Sequence, residues 1–348
     1  MSGRRRGLGL GWFLLAFLVV GLPAYVWWGF GAPGDDTTPV EFEVLRGSRA
    51  VQVVTDLHEA GLIREPRVFL ALLRLEGLDR RIGEGLYDLH EAMAAREVAA
   101  ALARGGRPRT VRIVVPEGHR LRDVAQRLEI AGLSPLGATL ARMEDPDGLL
   151  PAVLDDGQTQ PDTLEGYLFP AAYEVPVHEA LDAVLTRMVQ RFEAELDEAT
   201  LAQLEAAELD VHAWVTLASM VQAEAANDQE MAIIAGVFLN RLDLGMPLQS
   251  DPTVAYGLGK DLPQLDFPGG DFAVDHPWNT YTRGGLPSGP INNPGRPALA
   301  SVLAPERLDP QGRPWLFFMH GRDENGPVFR PNPDYEGHLR DVAQYLRR

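Results

Sequence analysis

Two stretches of this chain superpose without a gap, and that duplication limits what the chain can fold into. Residues 42–62 lie over residues 113–133 at a constant offset of 71, with identity at 8 of 21 positions. The shared residues are Val44/Val115, Gly47/Gly118, Arg49/Arg120, Val53/Val124, Leu57/Leu128, Ala60/Ala131, Gly61/Gly132 and Leu62/Leu133. Each copy opens on a short apolar run of strand type, turns at a glycine, and continues at helical spacing into Ala-Gly-Leu. The unit is strand, turn, helix and glycine cap, and the chain reads as α+β. Two copies are a duplication and not a solenoid, since stacked arrays need three or more. Between the copies, residues 67–76 are helical in pattern, 85–89 read as a short strand and 92–104 as an alanine-rich helix.

Ahead of the first copy, Arg4, Arg5 and Arg6 precede a run from Gly7 to Gly34 that has no charged residue. As a helix, residues 8–30 would be about 34 Å long, enough to span a hydrocarbon core of ~30 Å. Trp12 sits near one end of that run and Trp27 and Trp28 near the other, where the two headgroup layers would lie. The arginines stay cytoplasmic, so everything after Asp35 is expected outside the inner membrane. A cleaved signal peptide is the alternative, but no small-x-small site follows and the run exceeds a usual h-region of ~7–15 residues. The expected layout is a cytoplasmic tail (1–7), a single transmembrane helix (8–30) and a Gly/Pro/Asp/Thr tether (31–39). Duplicated βα units (40–134) and a mainly helical domain with long ordered loops (135–348) follow.

Composition removes several function classes. A hydrophobic fraction of 45% with 23% charged residues is ordinary for a globular protein and excludes wholesale disorder. The formal net charge of −17 would repel a phosphate backbone, so nucleic acid is not an expected partner. With no cysteine there is no disulfide scaffold, thiolate zinc site or cysteine nucleophile. His276, His320 and His338 lack the i, i+4 spacing of a zinc helix, and Ser288 lies in Gly-Leu-Pro-Ser-Gly, which is not a nucleophile elbow. Neither metal nor cofactor is expected.

In the larger domain, residues 181–208 read as one long amphipathic helix, 211–226 as a second and 230–242 as a third. The stretch after Gly245 is rich in Gly, Pro, Asn and Asp as far as Pro297, as ordered binding loops are. Residues 315–319 are a strand candidate and 335–346 a closing helix. Glu224 follows Val221, Met220 and Leu217 by three, four and seven residues, which puts its carboxyl on the apolar stripe of its helix. A carboxyl held against apolar neighbours resists ionisation, the condition for a general acid near neutral pH. Periodicity leaves a second reading open, a helix-end glutamate that reaches water or caps a neighbour. Asn227-Asp-Gln-Glu230 has capping-box spacing, so Asp228 and Glu230 read as structural. The amides, hydroxyls and aromatic rings of the later loops suit sugar recognition, while turn chemistry explains many of the same residues.

Short βα units of this size resemble LysM-type modules, which bind N-acetylglucosamine chains. A broader resemblance rests on several segments in order: Leu164-Glu-Gly-Tyr-Leu-Phe-Pro170, Ala218-Ser-Met-Val-Gln-Ala-Glu-Ala225 and Ala235-Gly-Val-Phe-Leu-Asn-Arg-Leu242. Leu248-Gln-Ser-Asp-Pro-Thr-Val-Ala-Tyr-Gly257, Asn279-Thr-Tyr-Thr282 and Gly285-Leu-Pro-Ser-Gly-Pro290 complete it. Over residues 40–348, together with the single N-terminal anchor, the chain resembles the YceG-like (MltG) endolytic murein transglycosylases. That resemblance implies an inner-membrane enzyme whose catalytic domain faces outward. It would cut nascent peptidoglycan strands internally at the β-1,4 bond between N-acetylmuramic acid and N-acetylglucosamine, leave 1,6-anhydro ends and so terminate strand growth. A LysM-like region before the catalytic domain is also implied.

The family's glutamate lies in Ala-Ser-x-Val-Glu-x-Glu. Here the first glutamate is Gln222, so the acid falls on Glu224. Two further departures are Ala171-Ala172-Tyr173, where Asp-Thr-Tyr is usual, and Gly326-Pro327-Val-Phe329, where a histidine usually precedes the aromatic residue. Asn240, Gln249, Ser250, Asp251, Tyr256, Asn279 and Tyr281 are the expected substrate-holding residues. Asp251 is either a helix start or a second carboxylate, which would make the enzyme a hydrolytic muramidase. A non-catalytic glycan-binding scaffold that recruits cell-wall synthases is the remaining alternative.

Overall fold

Residues 17–154, 161–266 and 270–346 are described in a computed structural model. Of the expected membrane span, residues 8–16 lie outside these. Among the described residues no helix is long and apolar enough to cross a membrane. What is described of that segment is a π-helical turn, Phe17–Gly21, running into α1 (Leu22–Phe30). The end of α1 is seated on protein: Gly29 is buried where an added Cβ would meet Val68 at 2.9 Å, and Phe30 packs on the neighbouring core. The expected tether is pinned as well, with Gly34 N–H donating to Glu91 O (3.1 Å) and Ala92 N–H to Asp36 O (3.0 Å).

The chain divides into two compact units, Met1–Thr110 and Val111–Arg348. In the first, β1 (Val40–Val44) runs antiparallel to β2 (Gly85–Leu89), with Phe42 opposite Tyr87. Alternation along β1 turns Phe42 and Val44 inward and leaves Glu41 and Glu43 outside. Helices α2 (Ala50–Glu59), α3 (Pro66–Leu75) and α4 (Ala95–Arg104) close over that face, burying Val53, Leu57, Phe69, Leu73, Val98 and Leu102.

The second unit opens within β3 (Thr110–Val114), whose first residue closes the first unit, and continues into α5 (Leu121–Ile130) and α6 (Leu136–Met143); β3 pairs with β4 (Ala172–Pro176). Helix α5 has the bounds of α2 displaced by the offset read in the sequence. Both helices also end alike. Gly61 and Gly132 take φ of 72° and 74°, and the next leucine donates back into the helix, Leu62 to Leu57 O (2.9 Å) and Leu133 to Leu128 O (3.0 Å). That is a Schellman cap, which needs a left-handed residue between helix and leucine. The shared Leu, Gly and Leu are thus the residues the cap requires.

Where one long helix was expected there are two, α7 (Leu181–Glu193) and α8 (Glu198–Ala206). Asp197 restarts the chain as an N-cap, accepting from Thr200 N–H at 2.8 Å. The centre of the unit is α9 (Val211–Glu224), capped by Asp210 and buried continuously from Trp214 to Val221. Its residues are apolar nearly all round, as a helix enclosed by protein must be. Helix α10 (Asp228–Asp243) folds back along it after a cap formed by Asn227 and Glu230. A loop region follows, carrying the short α11 (Asp251–Gly257), and then α12 (Arg296–Leu303) packs on both α9 and α10. The strand candidate at 315–319 is one arm of a hairpin, β5 (Phe317–Asp323) with β6 (Gly326–Asn332), in which His320 faces Phe329. Last comes α13 (Tyr335–Asp341), which continues as a π-helical turn, Val342–Leu346.

Candidate active site

Glu224 is the final residue of α9 and lines a cleft of about 320 Å³. Its placement follows from the helix. The polar groups on α9 are used to fix the chain that runs beside it: Ile291 N–H donates to Ser219 Oγ (3.0 Å), and Asn292 Nδ2 to Ser219 O (2.8 Å). Gln222, two residues before Glu224, accepts from Gly295 N–H at 2.9 Å. Gln222 therefore braces the helix, and Glu224 alone of the two reaches the cleft.

Glu224 is half-buried, its carboxyl open to the cleft and the rest packed in protein. Burial pushes its pKa up to about 7. Ser250 opposes the rise by donating its hydroxyl to Glu224 Oε1 at 2.6 Å. The negative charge of Asp251 adds to the rise, while the positive charges of His320 and Arg241 work against it. The carboxyl is thus poised between its two protonation states near neutral pH, which is what an acid that must later act as a base needs.

Five of the eight expected site residues converge here. Gln249, Asp251 and Tyr281 line the cleft with Glu224, and buried Ser250 holds the acid from behind. The loop that carries them is tied to Thr280: Gln249 N–H donates to Thr280 O (3.1 Å) and Ser250 N–H to Thr280 Oγ1 (3.0 Å). Gln249 takes φ of 51°, a left-handed conformation uncommon for a residue with a side chain, and it sits beside the acid. Asp251 is the first residue of α11 and also accepts the Tyr281 hydroxyl at 2.5 Å. Burial, and then that bond, raise the Tyr281 phenol above its ordinary value.

The other three are placed elsewhere. Asn240 is spent on structure: its amide donates to Arg307 O and Trp315 O, both at 2.8 Å, and its carbonyl accepts from Arg307 Nε at 2.8 Å. Asn279 is fully buried and holds its own loop, donating to Val274 O (2.7 Å) and accepting from Tyr281 N–H (2.8 Å). It positions Tyr281 and does not line the cleft. Tyr256 packs against Trp278 and hydrogen-bonds Glu165. Glu165 is a second buried acid, pushed up by burial to about 8 while accepting from Leu121 N–H at the start of α5.

Several cleft residues were not among the expected site residues. Arg241, next to Asn240, is buried and donates to Leu316 O (2.7 Å) and Leu248 O (2.8 Å), joining α10 to two loops beside the acid. His320 comes from β5, its Nε2 within 2.9 Å of Glu230 Oε2, so the capping glutamate of α10 also steadies a cleft imidazole. Phe317, Tyr335 and His338 line the side contributed by the C-terminal hairpin and α13. Among the described residues no three His, Asp or Glu side chains converge as metal ligands would.

An endolytic murein transglycosylase of Streptococcus pneumoniae (serotype 2, strain D39) is 27% identical over 369 aligned positions, covering 96% of this chain and 65% of that protein. The present chain therefore spans about two thirds of that relative's length. The endolytic murein transglycosylase of Bacillus subtilis (strain 168) is 28% identical, covering 84% of this chain and 81% of its own. The crystal structure of a YceG-like protein from Listeria monocytogenes superposes with a TM-score of 0.57 at 26% identity, over 88% of this chain and 99% of that one. The YceG-like family itself matches residues 42–344, nearly the whole of both units, and the chain belongs to that family.

Proposed function

We propose that this protein is an endolytic murein lytic transglycosylase acting on the β-1,4 bond between N-acetylmuramic acid and N-acetylglucosamine. The observation that carries the reading is Glu224: a cleft-lining carboxyl with a pKa of about 7, on a chain similar to proteins named for this activity. Protonated Glu224 donates to the bridging oxygen as the C1–O bond breaks, and the departing sugar leaves as an alcohol. The muramyl acetamido group supports the cationic carbon. The muramyl 6-hydroxyl then attacks C1, Glu224 takes its proton, and a 1,6-anhydro ring closes with the acid regenerated. No water is consumed. An intramolecular nucleophile gains from proximity, which removes the need for a second catalytic carboxylate. A retaining hydrolase, by contrast, needs one about 5–5.5 Å away.

Asp251 favours a second reading, hydrolysis, because it lines the same cleft as Glu224. Product mass separates the two. Glycan ends released by the wild-type protein are expected one water lighter than reducing ends, and reducing ends instead would make the protein a muramidase. Glu224→Gln is expected to cut anhydro-end formation by about 10²–10⁴-fold with the fold intact, and full activity in that variant would remove the assignment. A scaffold role would leave cells carrying Glu224→Gln indistinguishable from wild type.

The remaining parts of the reading extend from the sequence. Residues 8–30 would hold the protein in the inner membrane as a single pass, amino terminus inside and both units outside. The duplicated strand–turn–helix units would serve as a LysM-like, glycan-facing module. Nascent strands would be the substrate, which makes cell-wall synthases the class of partner that supplies it.

A further inference from the structure

The C-terminal side of the cleft is aromatic, and none of the chemistry above uses it. Phe317, from β5, lies with its ring centroid 5.5 Å from that of His338 at an interplanar angle of 26°. Tyr335 lies 5.6 Å from Phe317 and 6.3 Å from His338, the latter at 29°. The Arg241 guanidinium sits 5.1 Å from the Phe317 centroid. These groups form a stack that starts on buried Arg241 and ends on Tyr335, which is 58% exposed. All four line the cleft that contains Glu224.

Lone exposed aromatic rings are ordinary on protein surfaces. This one differs in its support. Asp334 caps α13, accepting from Gly337 N–H at 2.8 Å, so Tyr335 starts a fixed helix. Asn332, at the end of β6, accepts from Leu316 N–H at 3.0 Å and donates to Asp341 Oδ2 at 2.8 Å, locking the hairpin to that helix. The ring is therefore presented at little conformational cost to a ligand. An aromatic body with a polar tip suits a partner that is apolar on one face and hydroxylated at its edge. His338 adds a ring nitrogen, Nδ1, that is buried with no hydrogen-bond partner among the described residues.

We infer that the Phe317–His338–Tyr335 stack is a saccharide subsite, with Tyr335 packing on the C–H face of an N-acetylhexosamine ring next to the bond that Glu224 opens. The inference rests on the murein reading and adds a specific site to it. The cleft volume of about 320 Å³ is at the small end for a ligand pocket, so further rings of a strand must find surface at its rim. Tyr335 supplies such surface.

The test is titration of purified, uncross-linked murein glycan strands into Glu224→Gln protein by calorimetry, so that turnover does not interfere. Adding Tyr335→Ala is expected to weaken binding about five- to tenfold, the usual range for loss of an aromatic contact, whereas Tyr335→Phe stays within about twofold. Tyr335→Leu, which keeps bulk but not the flat face, is expected to follow the alanine variant. In the active protein Tyr335→Ala should raise KM and leave kcat nearly unchanged. Unaltered binding by both Tyr335→Ala and Tyr335→Leu overturns the subsite while leaving the catalytic reading in place. Failure of Glu224→Gln protein itself to bind the strands overturns both.

Discussion

At the scale of single residues the site is a balance of opposing influences on one carboxyl. Burial raises the Glu224 pKa, the Ser250 hydroxyl lowers it and the Asp251 charge raises it. An acid must enter the reaction protonated, so kcat/KM is expected to fall as pH rises past about 7. The neighbours give that limb a sign. Ser250→Ala removes a bond that favours the ionised form and should move the limb to higher pH. Asp251→Asn removes a repelling charge and should move it to lower pH. A pH–rate series on the two variants checks both directions, and a common shift would contradict the balance. Glu224→Gln should cost about 10²–10⁴-fold in turnover, the usual weight of a positioned acid. Helical spacing placed Glu224 on the apolar stripe of α9, because a face is a local property, and left open whether its carboxyl serves as an acid or as a helix-end cap. Asn240 and Asn279 were not separable from cleft residues by composition, because an amide that binds sugar and one that binds a carbonyl look alike in sequence.

At the scale of elements, what holds the cleft together is polar and buried. Glu165 joins the start of α5 through Leu121 N–H to α11 through Tyr256, and Asn293 Nδ2 donates to it at 3.3 Å. Its pKa rises from the usual 4.5 to about 8, so the folded chain holds a proton there that the unfolded chain has released. The stability it contributes is complete below about pH 4.5 and is lost as pH rises through about 8. Glu165→Gln, neutral at every pH, should flatten the decline of melting temperature across that window; an unchanged slope would mean that Glu165 ionises freely. Packing of α10 offers a second check. An alanine at Gly236 would place its Cβ 2.1 Å from Glu306 O, a backbone atom that cannot swing aside. Gly236→Ala should therefore destabilise by about 1–3 kcal/mol, the range for overpacking, as measured by denaturant midpoint. Repeat and caps were readable because each is set within a few residues. The break between α7 and α8 was hidden because Asp197 lies inside an unbroken amphipathic pattern, and the β5–β6 hairpin because its second arm contains Pro327 and Pro331.

At the scale of the whole molecule, the apolar amino-terminal segment has a pattern that either of two roles would satisfy, and the sequence could not separate them. Its pattern is that of a span, yet its final turn is built into the first unit: Gly29 against Val68, Phe30 on the core, and the Arg64 guanidinium 5.6 Å from the Trp28 ring centroid. Hydropathy records only that these residues avoid water, and a lipid tail and a protein core satisfy that equally. Truncation distinguishes the roles. A chain beginning at Leu22 keeps every one of those contacts and should unfold at the temperature of the full chain, losing only its association with lipid vesicles. One beginning at Val40 uncovers Val68 and the surface beneath Phe30. Burying a side chain of that kind is worth about 1.5–3 kcal/mol, and a unit of this size loses several degrees per kcal/mol. Thermal unfolding of the first unit should then come at least about 5 °C earlier. Equal melting of the two truncated chains would show that the end of α1 belongs to the membrane and only rests on the protein.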